Sequence, residues 1–235
     1  MSATLNDPRI ANGMRAQFAL RKQRLDAGAK QIGWKVGLGA PTALQKNNLT
    51  APIVGFLLDR AQLSTGATVS IKGWTKPAAE AEIAAQISRD LPANADRDTV
   101  RAAIGALGPA IELADVNSPM DDIERALGGD VWQRHVVLGP KDNSRAGAKL
   151  DGLSGKVTRS GQDVPVPADL ETNIGKILDI VRHVADVTAA MGDRLRAGQF
   201  IICGSLTAPM FLEPADTRID FTLDPIGSVA VRFSS

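Results

Sequence analysis

From Pro77 to Ser88, Ala79, Ala81, Ile83, Ala85 and Ile87 alternate with Glu80, Glu82, Gln86 and Ser88. Alternation of this kind is the period of an extended strand, so Glu80 and Glu82 leave the backbone on one face and the apolar residues on the other. The stretch also has good helix composition, and on a helix the two acids would be ordinary solvated side chains. Pro77 at its start and the Asp90-Leu-Pro turn at its end favour the strand. A third acid, Glu112, follows within Pro109-Ala-Ile-Glu-Leu-Ala. Carboxylates forced together repel, and a site that keeps them ionised calls for a cation; three such oxygen ligands suit a hard divalent ion such as Mg²⁺.

A chain of 235 residues can bury a substantial core, at the size of one domain with a small appendage. The division expected is an N-terminal helical portion with the first strands in residues 1–65 and a catalytic core in 66–235. Lys and Arg total 27 against 26 Asp and Glu, and no basic stripe interleaved with aromatics is present, which excludes the electrostatic footprint of nucleic-acid binding. No apolar run approaches the ~20 residues needed to span a bilayer, so no membrane association is expected. Cys203 is the sole cysteine and has no partner for an intramolecular disulfide. Met1-Ser-Ala-Thr-Leu-Asn-Asp-Pro lacks the basic and apolar regions of a signal peptide, so a cytoplasmic protein is expected.

Along the chain, Ile10, Met14, Phe18 and Leu25 recur at helical spacing between Asp7 and Ala27, with Gly28 as the stop. Ile32-Gly-Trp-Lys-Val-Gly-Leu reads as a short strand whose glycines permit close backbone approach, with Lys35 at its centre. A short helix over 41–48 and strands at 53–58 and 66–71 follow. Asp98 to Leu107 reads as a capped helix ending at Gly108-Pro109, with Glu112 on the next strand. Strands are expected at 136–139, 155–159 and 162–166, with Gly161 marking a hairpin turn. Asp169 is expected to cap a long helix with the stripe Ile174, Ile177, Leu178, Val181, Val184 and Met191, stopping at Gly192. Strands beginning at Phe200, Arg218 and Ser228 close the chain. Many short strands with few helices, without regular βαβ units, give an α+β fold on a β-sandwich or β-roll.

Five pieces then fall in one order: Gly33-Trp-Lys-Val-Gly-Leu, Pro77-Ala-Ala-Glu-Ala-Glu-Ile-Ala, Pro109-Ala-Ile-Glu, Gly204-Ser-Leu-Thr-Ala-Pro and Gly227-Ser-Val-Ala-Val-Arg-Phe. Together they resemble the 2-keto-4-pentenoate hydratase group of the fumarylacetoacetate hydrolase superfamily, over nearly the whole chain. The resemblance implies a mixed β-sandwich/β-roll core with a small N-terminal helical portion, and a homo-oligomer, with a pathway decarboxylase as a possible associate. It also implies Mg²⁺ or Mn²⁺ bound by an E-x-E pair and a third acid, positions matched by Glu80, Glu82 and Glu112. The substrates implied are small 2-oxo acids or their enol tautomers.

Lys35 matches the lysine of the G-x-K-x-G strand, with a role in binding the substrate carboxylate or in proton transfer. Asp59 is the candidate for an acid that the group carries soon after the Pro-x-x-Gly-x-Leu strand, although its register before Arg60 departs from the pattern. Ser205 and Thr207, at a strand end, are candidates to hold a carboxylate or a water. Asp130, Gln133 and Arg134 lie in a segment that borders the pocket in the wider superfamily, with the Arg134 fork suited to a carboxylate. His135 and His183 read as packing or surface residues.

The reaction expected is addition of water to a 2-hydroxydienoate or 2-oxo-enoate from aromatic catabolism. Decarboxylation of a 2-oxo acid and C–C hydrolysis of an acylpyruvate are the alternatives, and a silent partner subunit comes last because all three acids are present. The absence of histidine from the N-terminal portion counts against the hydrolase.

Overall fold

The computed structural model describes residues 3–234. In chain order its elements are α1 (Pro8–Asp26), β1 (Gln31–Gly37), α2 (Pro41–Asn47), β2 (Ile53–Leu58), β3 (Gln62–Leu63), β4 (Ala67–Ser70) and β5 (Pro77–Ile87). They continue with α3 (Arg97–Ala103), β6 (Ile104–Asp115), α4 (Ile123–Gly128), β7 (Gln133–Leu138), β8 (Ser154–Arg159), β9 (Gln162–Val164) and α5 (Ile177–Ala190). The chain ends with β10 (Phe200–Ser205), β11 (Met210–Phe211), β12 (Arg218–Asp224) and β13 (Gly227–Ser234). None of the helices is long and apolar enough to cross a membrane.

Two sheets carry the fold. The larger has eight strands in the order β2-β1-β10-β5-β6-β7-β3, with β11 paired to β5; the smaller runs β4-β13-β12-β8-β9. β12 and β13 lie against β6, and β13 also touches β7. Elsewhere α5 packs on β10 and β1, while α1 packs on α4 and β2. The larger sheet curls until β2 and β7 come into contact. This is the β-roll with few helices expected from the sequence. β1 and β2, from the N-terminal side of the expected 65/66 division, are hydrogen-bonded into the same sheet as β5 and β6.

Curling gives the larger sheet an inner and an outer face. Ala79, Ala81, Ile83, Ala85 and Ile87 of β5 join Trp34, Val36, Ile111 and Leu113 in the main core. The alternate residues face inward, where Leu57, Ala84, Ala110, Val136 and Ile202 form a small separate apolar cluster. Period-two side-chain placement then puts Lys35, Glu80, Glu82 and Glu112 on that same inner face.

Two helices differ from the sequence reading. α3 is capped by Asp96, whose Oδ1 accepts the Thr99 amide at 2.7 Å, and it ends at Ala103 rather than running on to Leu107. Residues 104–107 instead pair with β5, Ile104 opposite Ile87 and Leu107 opposite Ala85, and Gly105 weakens any local helical preference. The long helix likewise starts at Ile177 and not at Asp169: Asp169 caps only a turn, and Gly175 adopts φ +83°. Glu171 caps α5 instead, accepting the Ile177 amide at 2.9 Å. In the acidic stretch between Leu113 and Asp130, Asp122 caps the short α4 by accepting the Arg125 amide at 3.1 Å.

β1 lies parallel to β10 with Gly33 opposite Phe200, and a Cβ on Gly33 would stand 2.1 Å from the Phe200 carbonyl oxygen. Backbone cannot give way as a flexible side chain does. Gly33→Ala is therefore expected to lower the urea midpoint by the equivalent of about 1–3 kcal/mol. An unchanged midpoint would show that the two backbones do not meet there.

Candidate metal centre

β5 and β6 are antiparallel, and their register sets Glu80 directly opposite Glu112. Glu82 lies two residues along β5 on the same face. One carboxylate oxygen from each of the three acids lies within 4.8 Å of the others. Glu82 and Glu112 are fully buried, and Lys35 is 3% exposed. The Lys35 ammonium donates to Glu112 Oε1 and, at 3.1 Å, to the Val131 carbonyl. Glu82 Oε2 accepts the Gly204 amide at 2.5 Å, at an irregularity in the β5–β10 pairing between Ile202 and Ser205. Glu82 Oε1 and Glu112 Oε2 are buried with no hydrogen-bond partner. Two orphaned, converging carboxylate oxygens are what a hard divalent cation takes as ligands.

Charge in this enclosure is expensive. Burial, followed by repulsion from Glu112, pushes Glu80 up to about 7, and burial with both neighbouring carboxylates drives Glu82 well above the usual range. Burial alone would lower the Lys35 ammonium, but Glu112, Glu80 and Glu82 together outweigh it and raise its pKa. One cation thus faces three acids.

Lys35 fits because the sheet makes room for it. Gly55 of β2 lies opposite, and a Cβ there would meet Lys35 Cγ at 2.9 Å and Asp130 Oδ1 at 3.0 Å. Asp130 is fully buried, with Oδ1 accepting the Phe56 amide at 2.8 Å; desolvation drives its pKa well up despite that bond. Asp130, Val131 and Trp132 form a consecutive left-handed run, at φ 64°, 52° and 61°. Such conformations cost about 1–3 kcal/mol each in non-glycine residues, most for a β-branched one. Their product here is a carbonyl aimed at Lys35. That main-chain acceptor has no signature in the sequence; Gly128-Gly129 ahead of it hints at a turn and no more.

Of the three acids Glu80 lines a cavity of about 400 Å³, together with Lys35, Ser205 and Thr207. Ser205 stands opposite Glu82 in the β10–β5 register, and its Oγ is buried without a partner. Thr207 Oγ1 donates to the Ala208 carbonyl at 2.9 Å.

Three other expected site residues are not brought here. Asp59 caps a turn, its Oδ1 accepting the amides of Lys30 and Arg60 at 2.9 Å, and it does not line the cavity. Gln133 and Arg134 line a different cleft, with Asp130, Arg24 and Arg60. Arg134 is paired with Asp115 at 2.9 Å. The two histidines also stand apart: His135 stacks on Trp74, and His183 Nε2 meets the Pro52 carbonyl at 2.8 Å.

No family model matches the sequence. The chain is 28% identical over 214 residues to the 2-hydroxyhexa-2,4-dienoate hydratase of Comamonas testosteroni, covering 88% of this chain and 80% of that protein. It is 26% identical over 238 residues to the 2-keto-4-pentenoate hydratase of Paraburkholderia xenovorans, covering 99% of this chain and 87% of the relative. Among solved structures, 4-oxalocrotonate decarboxylase from Pseudomonas putida G7, complexed with magnesium and adipate, superimposes with a TM-score of 0.86 at 25% identity, over 100% of this chain and 90% of that one. The resemblance carried by the five sequence motifs is thereby borne out as a likeness: over nearly its whole length the chain is similar to proteins named 2-keto-4-pentenoate hydratase and 2-hydroxyhexa-2,4-dienoate hydratase.

Proposed function

We propose that the chain is a divalent-metal-dependent hydratase that adds water to a 2-hydroxydienoate or 2-oxo-enoate. The observation that carries this reading is the convergence of Glu80, Glu82 and Glu112 beside a buried ammonium, at the polar end of a cavity large enough for a small acid. Relatives named as hydratases of such compounds support the choice of reaction. Glu80, Glu82 and Glu112 are the residues that would hold Mg²⁺ or Mn²⁺. A divalent ion supplies Lewis-acid stabilisation of the charge that develops on the C2 oxygen of a 2-oxo acid.

The chain's own groups would divide the remaining work. An ammonium has three N–H donors, and Lys35 spends one on Glu112 and one on the Val131 carbonyl. The third is free for the substrate carboxylate or the C2 oxygen. Water addition to a conjugated 2-oxo-enoate sends electron density towards that oxygen, so a fixed positive charge beside it lowers the barrier without reorganising. The Ser205 hydroxyl would hold the incoming water, a role supported by its lack of a partner and its register opposite Glu82. Decarboxylation of a 2-oxo acid is the second reading, favoured by the likeness to 4-oxalocrotonate decarboxylase. A panel of 2-oxo acids with Mg²⁺, followed by dienol absorbance and CO₂ release together, separates the two. CO₂ release without hydration would overturn the hydratase.

Glu82→Gln keeps the shape and removes the charge. It is expected to cut Mg²⁺-dependent turnover at least ~100-fold and weaken Mg²⁺ binding by calorimetry, with an unchanged circular dichroism spectrum. Full activity would remove Glu82 from the ligand set. Lys35→Met should lower kcat while Mg²⁺ still binds, and wild-type kinetics would make Lys35 a strand residue without a chemical role.

The raised carboxyl groups also set a pH dependence. A group whose folded pKa lies above its unfolded value stabilises fully below the unfolded value, near 4.5, and that stability is lost as pH rises through the folded value, about 7 for Glu80. A bound divalent ion removes the penalty, because it takes the place of the protons. The gain in Tm on adding Mg²⁺ to EDTA-treated protein should therefore grow between pH 5 and pH 7.5. A gain that shrinks over that range would contradict the site.

A further inference from the structure

We infer that the cavity selects 2-oxo acids with an uncharged apolar tail reaching at least the sixth carbon, and that Ala78, Ala114, Met120, Trp132 and Phe211 form a wall that rejects a second carboxylate. This rests on the proposed function and concerns the far end of the same cavity.

The sheet fixes both ends. On β5 the inward residues are Glu82, Glu80 and then Ala78; across the ladder Glu80 faces Glu112, and Ala78 faces both Ala114 of β6 and Phe211 of β11. One such step is two residues, about 7 Å along a strand. An extended chain covers roughly 1.2 Å per bond, so an acid whose C1–C2 end sits at the three carboxylates puts its fifth and sixth carbons over Ala78, Ala114 and Phe211. Met120 and Trp132 add to the lining, and 400 Å³ is within the range that holds drug-sized ligands.

Among the described residues, the lining of that end holds no charged side chain to meet an anion. Lys35 is the sole basic residue in the lining, and its ammonium is committed at the acid end. Of the neutral donors of the lining, Trp132 Nε1 is spent on Ser118 Oγ and Asn173 Nδ2 gives one of its two N–H groups to the Leu206 carbonyl, both at 2.8 Å. Thr42 keeps its hydroxyl but is exposed. Outside the lining, the Lys76 ammonium sits 4.0 Å from the Phe211 ring centroid, and Arg134 is held by Asp115. A carboxylate docked against Ala78, Ala114, Met120 and Phe211 gives up its water to apolar side chains that return no hydrogen bond, whereas a methylene gains by the same burial.

Calorimetry of the Mg²⁺-loaded protein with saturated 2-oxo acids, which have no double bond to hydrate, reads this directly. Affinity should rise about 3- to 4-fold per methylene from 2-oxobutanoate to 2-oxohexanoate, and 2-oxohexanoate should bind at least ~10-fold more tightly than 2-oxoadipate. Phe211→Arg should reverse the preference between the last two. Equal or tighter binding of 2-oxoadipate by the unaltered protein would overturn the inference and leave the metal centre standing. Failure of every 2-oxo acid to bind with Mg²⁺ present would overturn the inference together with the function proposed for the site.

Discussion

Everything at the centre of this molecule follows from carboxylates that a rigid ladder will not let separate. β5 and β6 are paired along almost their full length, so Glu80 cannot leave Glu112 without breaking sheet hydrogen bonds, and Glu82 is fixed one step away on the same face. Free side chains would turn apart. These cannot, because the curled sheet encloses them and the apolar cluster of Leu57, Ala84, Ala110, Val136 and Ile202 occupies the inner face. The repulsion is met in three ways: the Lys35 ammonium, the Gly204 amide on Glu82, and proton uptake as the pKa values of Glu80 and Glu82 climb. A buried acid cluster persists only where other energy supports it, and such stored cost marks functional sites.

The supports come from distant parts of the chain. Lys35 reaches Glu112 because Gly55 leaves space for its stem, and because three left-handed residues turn the Val131 carbonyl towards it. Those residues are tied down by their own bonds: Asp130 to the Phe56 amide, the Val131 amide to Ala126, the Trp132 carbonyl to the Asp115 amide. Strain in one segment is thus held by three others. Positioning of this kind lets a site act without reorganising when charge develops in it.

How much of this the sequence discloses depends on whether the cause is local. Glu80 and Glu82 are legible on one face because strand alternation is a property of consecutive residues, and the Pro77 boundary is equally local. The extent of the helix after Asp96 is not: residues 104–107 carry a plausible helical stripe, and only pairing with a strand far away in sequence draws them into β6. Gly175 hides the true start of α5 in the same manner, since a left-handed residue inside an apolar stripe looks like an interruption that a helix could absorb. Asp59, Gln133 and Arg134 were plausible candidates by residue type and neighbourhood. Their direction is set by a turn, by a separate cleft and by Asp115, none of which leaves a mark in the local pattern.

The acid end of the cavity stands wholly on the larger sheet, while the tail end is built partly from that sheet and partly from the segments that cover it. Lys35, Glu80, Glu82 and Glu112 stand on β1, β5 and β6, each paired on both sides within the larger sheet, where a displacement would have to move the whole ladder. Much of the opposing surface comes from connections, Val116 and Met120 between β6 and α4 and Ala208 and Pro209 between β10 and β11, joined by Thr42 and Ala43 of the short α2. Connections accept substitution and insertion at little cost to a fold, whereas paired strands do not. A scaffold so arranged can exchange the tail that its substrate carries while keeping the carboxylate cluster and ammonium unchanged. Relatives named for both hydration and decarboxylation are what such a division of labour produces.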